Sequence, residues 1–206
     1  DDTFYVGTND RDTDLFEAIW PLPHGVSYNS YLIVDEKVAM IDCVKRGHLT
    51  NPLSRIRIAL DQGKKIDYLV INHMEQDHSG AIALIHDLFP QMTVVGNAKT
   101  LSFLKGFFGE RGAANLQEVK DGEVLDLGKH KLSFHLTPMV HWPETMMTYD
   151  ATDKVLFSGD AFGGFGAMPA GIFDDEVDYR YYENETLRYF SNIVGKYANM
   201  VTRAID

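Results

Sequence analysis

The sequence predicts an α+β fold in which two sheets pack face to face and helices cover the outside. Strand-like and helix-like stretches alternate over the first half of the 206-residue chain, short strand-like stretches dominate residues 116–158, and a helical stretch begins at residue 178. With 45% hydrophobic residues, a chain of this length builds one sizeable core. We therefore expect residues 1–206 to form a single domain.

Strand and helix patterns alternate in the first half of the sequence. Apolar, β-branched stretches predict strands at residues 3–7, 29–34, 37–42, 66–72 and 92–96. Apolar residues at helical spacing predict helices at residues 48–62, 80–88 and 98–107. The second and third strands form a hairpin that turns at Asp35-Glu36, and Gly63 ends the first helix.

Strands dominate the next part of the chain. They are predicted at residues 116–119, 124–127, 131–136, 146–150 and 155–158, after a glycine-punctuated turn at residues 106–112. Residues 178–205 are predicted to be mainly helical. One side of this helical segment is expected to carry Leu187, Phe190, Ile193, Val194 and Tyr197.

Composition narrows the class of protein. The formal net charge of −11 argues against binding to nucleic acid or to an anionic membrane surface. Cys43 is the only cysteine, and its position after an apolar strand indicates a small buried residue rather than a nucleophile. The sequence shows neither a signal peptide nor a long apolar span, which predicts a cytoplasmic protein without membrane association.

Residues with metal-ligating side chains cluster in the segment His73-Met-Glu-Gln-Asp-His78. This segment lies between a predicted strand and a predicted helix. Alternate residues of an extended loop point to the same side, so His73, Glu75 and Asp77 are able to converge, and His78 turns in from the start of the helix. A polar loop in which His78 or Ser79 caps the helix is the alternative. The density of ligand types favours a metal site.

Two further candidate ligands, His141 and Asp160, follow predicted strands and stand close to proline or glycine, which shape the backbone locally. Either residue alone is better explained as a structural histidine or a turn residue. The cluster at residues 73–78 makes a common metal site the favoured interpretation. His24 lies in an irregular loop at residues 20–28. It is a candidate for a residue that contacts the metal ligands without binding the metal itself. The remaining histidines, His48, His86, His130 and His135, are interpreted as structural or solvent-facing.

These residues resemble the diiron centre of the flavodiiron proteins, which have a metallo-β-lactamase fold. The resemblance rests on His73-x-Glu-x-Asp-His78, His141 and Asp160, which occur at spacings similar to those of the family. The segments at residues 23–31, 141–149 and 160–163 also resemble the family, so the likeness covers nearly the whole chain. It implies an αββα sandwich of metallo-β-lactamase type with the metals at one edge.

The resemblance also implies a ligand set, carried over residue by residue. One iron would be bound by His73, Glu75 and His141, the second would face Asp77 and His78, and Asp160 would bridge the two. The implied cofactors are two iron ions with a bridging hydroxide or oxo group. Zinc hydrolases of the same fold usually have histidine at the position of Glu75, and carboxylates suit iron or manganese better. Three carboxylates and one hydroxide balance the charge of two Fe(II) ions.

The sequence departs from the family pattern in three places. The family has a further histidine ligand for the second iron well beyond Asp160, so we expect the chain to be truncated before its last metal ligand. The family also has a flavodoxin-like domain, and FMN is expected only if such a domain lies beyond residue 206. Gly164-Phe165 stand where many members have Gln-His, which changes the pocket wall.

The function implied by the resemblance is the reduction of dioxygen to water, of nitric oxide to nitrous oxide, or of both. The implied partners are an electron donor, such as rubredoxin or a flavoprotein, and a second copy of the chain in a homodimer. His24 or Tyr28 is expected to act catalytically by donating a hydrogen bond to the reacting molecule. Two alternatives stay open: a diiron protein that binds or senses dioxygen without turnover, and a di-zinc hydrolase.

Overall fold

The computed structural model describes residues 2–60, 63–109, 115–168 and 171–206. The strands within these residues are β1 (Thr3–Tyr5), β2 (Thr8–Asp10), β3 (Leu15–Phe16), β4 (Trp20–Pro21), β5 (Val26–Tyr28), β6 (Tyr31–Val34), β7 (Val38–Ile41), β8 (Tyr68–Val70), β9 (Thr93–Gly96), β10 (Leu116–Glu118), β11 (Val124–Asp126), β12 (Lys131–Leu136), β13 (Met146–Asp150) and β14 (Val155–Phe157). The α-helices are α1 (Thr50–Ala59), α2 (Gln76–Ser79), α3 (Ile82–Leu88), α4 (Ala98–Phe108), α5 (Tyr179–Tyr189) and α6 (Ala198–Ile205). A π-helical turn, Phe190–Val194, and a 3₁₀ turn, Gly195–Tyr197, join α5 to α6.

Ten of the described strands assemble into a six-stranded and a four-stranded sheet, and the other four form two small antiparallel pairs, β2-β5 and β3-β4. The larger sheet has the order β1-β6-β7-β8-β9-β10, with antiparallel pairing from β1 to β7 and parallel pairing from β7 to β10. The smaller sheet is the antiparallel meander β11-β12-β13-β14. The predicted hairpin of β6 and β7 is confirmed by its register, in which Val34 pairs with Val38.

The apolar core lies between the two sheets and between the larger sheet and its helices. Side chains alternate along β6 and β7, as they do in any strand. Ile33 and Ile41 join the cluster between the sheets, whereas Leu32 and Met40 join the cluster that includes helix residues. Phe134 of β12 is fully buried and belongs to the same cluster as Ile33 and Ile41, so the smaller sheet contributes to the core between the sheets. The predicted sheet-on-sheet core with helices outside is therefore confirmed.

Helix boundaries agree with the predictions where a capping residue fixes them. Asn97 caps α4, because its side-chain oxygen accepts hydrogen bonds from the backbone N–H groups of Lys99 (3.0 Å) and Thr100 (3.2 Å). Helix α1 begins at Thr50 rather than at the predicted residue 48, because a 3₁₀ turn, Arg46–His48, precedes it. The predicted end of that helix at residues 61–62 and residues 110–112 of the predicted glycine-rich turn lie outside the described residues.

The helical prediction for residues 178–205 is confirmed, but the predicted apolar side is partly wrong. Leu187 is 60% exposed and Phe190 is 44% exposed, whereas Tyr189 and Val194 are buried. The π-helical turn Phe190–Val194 has a wider repeat than an α-helix, so it rotates the buried face. Tyr189 rather than Leu187 therefore points into the protein.

The small hairpin of β3 and β4 was not predicted from the sequence. Its turn residues, Glu17 (φ 49°) and Ala18 (φ 59°), both have left-handed backbone conformations, and the N–H of Ile19 donates to the carbonyl oxygen of Phe16 at 3.0 Å. Such turns usually contain Asn-Gly or Gly-Gly, so this sequence carries no sign of one. The strained turn holds the carboxyl group of Glu17 close to Glu75 of the metal motif.

Two compositional features have structural counterparts. Cys43 is fully buried, as predicted, and burial raises the pKa of its thiol to about 12. A thiol with this pKa is a packing residue and not a nucleophile at neutral pH. None of the helices that the structure describes combines the length and the apolar character needed to cross a bilayer.

His130 and Asp150 form a buried pair at the end of the smaller sheet. Nδ1 of His130 lies 2.7 Å from Oδ2 of Asp150, and both side chains are 0% exposed. The N–H of Thr152 donates to the other carboxylate oxygen at 2.9 Å, so the pair also fixes the β13–β14 turn. These atoms and Asp153 are close enough to surround a metal ion, but Asp150 is already satisfied by protein donors. We interpret the cluster as structural.

This pair predicts that part of the stability depends on pH. Burial lowers the pKa of His130, but the hydrogen bond and charge of Asp150 outweigh burial and raise it above the ordinary value. The stabilisation is therefore complete below the unfolded pKa of about 6.5 and is lost as the pH rises through the raised folded pKa. His130→Gln should reduce the free energy of unfolding by about 2 kcal/mol near pH 6, the scale of a hydrogen bond to a charged group.

Urea unfolding of the chelator-treated protein at several pH values measures this effect. The deficit of His130→Gln should shrink steadily as the pH is raised above the unfolded pKa and through the raised folded pKa. His135→Gln, at an exposed position of β12, the strand that begins directly after His130, is the control and should show no such trend. A deficit that stays constant or grows with pH would contradict the assignment.

Candidate metal centre

The predicted ligands come together at one edge of the two-sheet core. They lie after β8 (His73, Glu75), in α2 (Asp77, His78), before β13 (His141) and after β14 (Asp160). The end of a strand is a well-fixed position, since its backbone is hydrogen-bonded up to the last residue. Segments far apart in the sequence therefore present their side chains to one place.

Asn72, the residue before His73, connects the two sheets behind this place. Its N–H donates to Asp42 at 2.7 Å, and its side-chain oxygen accepts from the hydroxyl of Thr148 at 2.7 Å. Its carbonyl oxygen accepts from the N–H of Met146 at 3.0 Å. Because Asn72 is fully buried and bonded to both sheets, the loop that follows it starts from a fixed point.

A first group of ligand atoms is formed by His73, Glu75, His141 and Asp160. Oε2 of Glu75 lies 3.2 Å from Nε2 of His73 and 3.0 Å from Nε2 of His141. Oδ2 of Asp160 lies 3.5 Å and 3.2 Å from the same two nitrogen atoms. Ligand atoms about 2.1 Å from one ion lie about 3.0 Å apart at a right angle and about 3.4 Å apart at the tetrahedral angle. The group therefore has the dimensions of one coordination sphere.

A second group consists of Asp77, His78 and Asp160, so Asp160 belongs to both groups. Its two oxygen atoms face in different directions. Oδ2 faces His141 of the first group, and Oδ1 lies 2.7 Å from Nε2 of His78 in the second. One carboxylate with an oxygen in each group has the arrangement needed to bridge two metal ions.

His78 is placed less clearly as a ligand than the other residues. Its 2.7 Å contact with Asp160 is shorter than the ligand-to-ligand distances of the first group and equals the hydrogen bond between His130 and Asp150. Its Nε2 lies 3.7 Å from Oδ2 of Asp77. The structure therefore shows His78 as a hydrogen-bonding partner of Asp160, and its role as a metal ligand stays a prediction.

Hydrogen bonds and charges among the candidate ligands together outweigh the effect of burial on their pKa values. Burial lowers the pKa values of His73 and His141, but hydrogen bonds to carboxylates outweigh burial and raise both to about 9. Burial raises the pKa of Glu75, but its two imidazole partners hold it at about 2. The pKa of Asp160 likewise lies well below its ordinary value, despite burial, because of His78 and His141. A metal ion that binds here displaces protons from the rings, so binding releases protons.

Asp77 behaves differently from the other carboxylates. Burial raises its pKa to about 6, even though the charge of His78 lowers it. Its Oδ1 atom is buried and has no hydrogen-bond partner among the described residues. A buried carboxylate oxygen without a partner is costly unless a cation compensates it. Together with Glu75 and Asp160, Asp77 provides the oxygen-rich, negatively charged donor set that two divalent cations require.

Glu144 belongs to this site but was not singled out in the sequence. Its Oε1 atom lies 2.7 Å from Nδ1 of His73 and accepts the N–H of Met74 at 2.9 Å. Burial raises its pKa, but its contacts with His73 and Met74 outweigh burial and lower it. An acidic residue two positions before β13, close to the candidate ligand His141 in the sequence, was the available sign, because such a residue is buried only with a partner.

Two more residues reach the centre from segments that carried no motif. Burial and the charges of the nearby carboxylates, Asp160 first among them, keep the pKa of Tyr189 well above its ordinary value, so its phenol keeps its proton. Burial and the neighbouring carboxylate of Glu75 raise the pKa of Glu17. Neither position was predictable, because one depends on the π-helical turn and the other on an unusual hairpin turn.

The two predicted catalytic residues have different surroundings. The phenol of Tyr28 donates to Oδ2 of Asp10 at 2.6 Å, so its proton already has an acceptor. Its ring lines a small cavity beside Asp77. His24 is half-buried, its carbonyl oxygen accepts the N–H of Ala167 at 2.8 Å, and it joins none of the ligand groups found among the described residues. A donor role towards a reacting molecule stays a prediction for both.

Comparison with known proteins identifies the family. Residues 26–195 match the family model described as ODP family beta lactamase. The chain belongs to this family. A curated relative, the nitric oxide reductase of Moorella thermoacetica, is 34% identical over 100% of this chain and 51% of its own length. The chain thus spans about half the length of the curated relatives it matches.

Solved structures of similar proteins confirm the fold of this ODP family beta lactamase. The rubredoxin oxygen:oxidoreductase of Desulfovibrio gigas superposes with a TM-score of 0.93 at 34% identity, over 99% of this chain and 50% of that chain. The flavodiiron protein of Giardia intestinalis gives a TM-score of 0.91 at 34% identity, over 99% of this chain and 49% of that chain. The resemblance to flavodiiron proteins and the metallo-β-lactamase type of fold are therefore confirmed.

The shared position of Asp160 predicts unequal effects of two substitutions. Asp160→Ala should lose both metal ions, because the bridging carboxylate holds the pair and offsets the repulsion between two dications. Glu75→Ala should mainly weaken the ion of the first group, because Glu75 contacts that group alone. Metal content per chain after gel filtration measures both variants.

Asp126→Ala is the control, since this exposed carboxylate lies in the smaller sheet and pairs with Lys131. It should leave the metal content of the wild type unchanged. Asp160→Ala protein that keeps two ions per chain would show that the bridging assignment is wrong.

Proposed function

We propose that this chain provides the diiron centre of an oxidoreductase that reduces dioxygen to water, nitric oxide to nitrous oxide, or both. The observation that carries the proposal is the shared carboxylate of Asp160, with one oxygen in each of two ligand groups. In this proposal, the first iron is held by His73, Glu75 and His141, and the second faces Asp77 and His78.

The donor set supports iron over zinc. Three of the proposed ligands are carboxylates, which are hard ligands that suit iron and manganese and do not select for zinc. Glu75 is central to this point, because it faces both imidazole rings of the first group. A bridging hydroxide would complete the balance of charge with two Fe(II) ions.

The surroundings of Asp77 support a small substrate. A cavity of about 50 Å³ lies beside it, lined by Phe16, Glu17, Tyr28 and Lys45 among others. That volume accommodates a diatomic molecule, as the proposed reaction requires. Two iron ions, when bound, would supply electrons and polarise the diatomic molecule, while the side chains around the cavity limit its contact with water.

The balance of the reactions requires an external donor. Reduction of dioxygen to water consumes four electrons and four protons, and reduction of two nitric oxide molecules to nitrous oxide and water consumes two of each. A pair of Fe(II) ions holds only two electrons, so turnover needs a partner. The names of the relatives, rubredoxin oxygen:oxidoreductase and nitric oxide reductase, support rubredoxin or a flavoprotein as that donor.

The remaining parts of the proposal concern the whole protein. FMN would be bound only if the full protein has a flavodoxin-like domain outside residues 1–206, and the full protein would form a homodimer. A cytoplasmic location is supported by the single, buried cysteine, which suits a reducing compartment.

The proposal predicts two iron ions per chain in the full-length protein purified without oxygen. Metal analysis, absorbance spectroscopy and Mössbauer spectroscopy measure the metal. Addition of dioxygen or nitric oxide with a reduced donor should then give multiple turnovers. A single oxidation without turnover would support an oxygen sensor instead. Native protein that contains zinc and stays inactive after iron reconstitution would contradict the proposal.

The pocket residues give a second prediction. At least one of the variants His24→Ala and Tyr28→Phe should change the rate of oxidation of the reduced, iron-loaded protein by about tenfold or more, the scale of losing one placed donor. Because Tyr28 donates to Asp10, Tyr28→Phe should also lower stability by about 1 kcal/mol. Stopped-flow absorbance after mixing with dioxygen measures the rate.

Tyr149→Phe, on the smaller sheet, is the matched control for loss of a phenol and should behave as the wild type. Iron content is determined for every variant so that a slow reaction is not confused with metal loss. If His24→Ala and Tyr28→Phe both give wild-type traces, the two residues only pack the loop.

A further inference from the structure

Glu144 is the most completely buried carboxylate of the metal centre. Its side chain is 0% exposed, and that of its partner His73 is 2% exposed. The imidazole ring of His73 uses both nitrogen atoms: Nε2 faces Glu75 and Asp160, while Nδ1 lies 2.7 Å from Oε1 of Glu144. A neutral imidazole carries one proton, so a proton held at Nδ1 by Glu144 leaves the lone pair of Nε2 for a metal.

Protein contacts that do not involve a metal hold Glu144 in place. Its Oε1 atom also accepts the N–H of Met74 at 2.9 Å, which ties it to the segment that carries His73. Its backbone carbonyl oxygen accepts a hydrogen bond from Nδ2 of Asn97 at 2.6 Å. The other end of the Asn97 side chain caps α4. Glu144 is therefore anchored to two separate elements before any ion binds.

The charge of Glu144 is compensated on one side only. Its Oε2 atom is buried and has no hydrogen-bond partner among the described residues. A buried carboxylate in this state costs several kcal/mol unless positive charge lies nearby. The positive charge within reach lies on His73 and, through that ring, on the metal position beyond it.

Among the residues that the structure describes, the ring of His78 has no hydrogen bond to a carboxylate behind it. Its Nδ1 lies 3.8 Å from Oδ2 of Asp42, too far for a hydrogen bond, and has no hydrogen-bond partner among the described residues. The carboxylate behind His73 therefore acts on one of the two proposed metal positions and not equally on both.

We infer that Glu144 is a positioning residue that makes the two metal positions unequal. It fixes Nε2 of His73 towards the position shared with Glu75 and His141, raises the affinity of that position and favours the oxidised state of the ion there. This inference rests on the proposed function, since it assumes a centre with two iron ions. An added negative charge stabilises Fe(III) more than Fe(II) because the attraction grows with the charge of the ion.

The test compares Glu144→Gln with a matched control, Asp150→Asn. Glutamine keeps an acceptor for Nδ1 of His73 and for the N–H of Met74 but removes the charge. Asp150 is equally buried and makes an equally short contact, 2.7 Å, with a histidine outside the centre. Both changes are made in the full-length protein, and circular dichroism checks that both fold.

Three readouts are measured on iron-loaded protein under anaerobic conditions. Competition with a chelator should show a loss of affinity of about 10- to 100-fold at one metal position of Glu144→Gln, the range known for residues that orient metal ligands. Potentiometric titration should show a higher reduction potential. The Mössbauer spectrum should show a change in the signal of one iron but not of the other. Asp150→Asn should lower stability and leave all three readouts unchanged.

Glu144→Asp serves as a second variant if Glu144→Gln does not fold. It keeps the charge but lengthens the contact, so the affinity of the same metal position should fall below that of the wild type. Unchanged affinities and potentials, or equal weakening at both positions, would overturn the inference. Wild-type protein that fails to bind two ions would instead contradict the proposed function, and this is established before any variant is compared.

Discussion

Negative charge concentrated at one buried point is the constraint on which the rest of the structure depends. Carboxylates converge there from Asp42, Glu75, Asp77, Glu144 and Asp160, and imidazole rings from His73, His78 and His141. None of these side chains is more than 14% exposed. Three protonated rings would still leave two negative charges, and burial makes each uncompensated charge costly. The fold therefore has to hold these groups together against their repulsion.

Backbone hydrogen bonds around the site hold the charged groups together against this repulsion. The carbonyl oxygen of His78 accepts the N–H of Cys43 at 2.7 Å, and the hydroxyl of Ser79 donates to the carbonyl oxygen of Met74 at 2.8 Å. Helix α2 has only one turn, so its own hydrogen bonds do not keep it in place. Helix α2 is kept in place by its contacts with the residues that follow β7 and with the loop that precedes it. The ligands cannot relieve their repulsion by moving apart, and binding cations is the remaining way to offset it.

The sequence predicted those parts of the fold and site that depend on local pattern. The segment at residues 73–78 concentrates ligand types between a strand and a helix, and the structure brings its members together with His141 and Asp160. The boundaries of β12 and β13 were also predicted, because alternation and turn residues define them locally. Glu144 was missed because its partner, His73, is distant in the sequence. Glu17 was missed because its hairpin turns without glycine or asparagine. The exposure of Leu187 was missed because a π-helical turn shifts the helical phase, which periodicity alone does not reveal.

The two sides of the proposed metal centre differ in exposure, and under the proposed function this difference bears on substrate choice. The side of His73 and Glu144 is closed, whereas Asp77, His141 and Asp160 keep 11–14% of their side chains exposed. The closed side fixes ligand geometry and charge, and it has no contact with an incoming molecule. Dioxygen and nitric oxide are both small and uncharged, so a common ligand set discriminates poorly between them. Under the proposed function, any preference would then arise on the open side, from the shape and polarity of the small cavity beside Asp77.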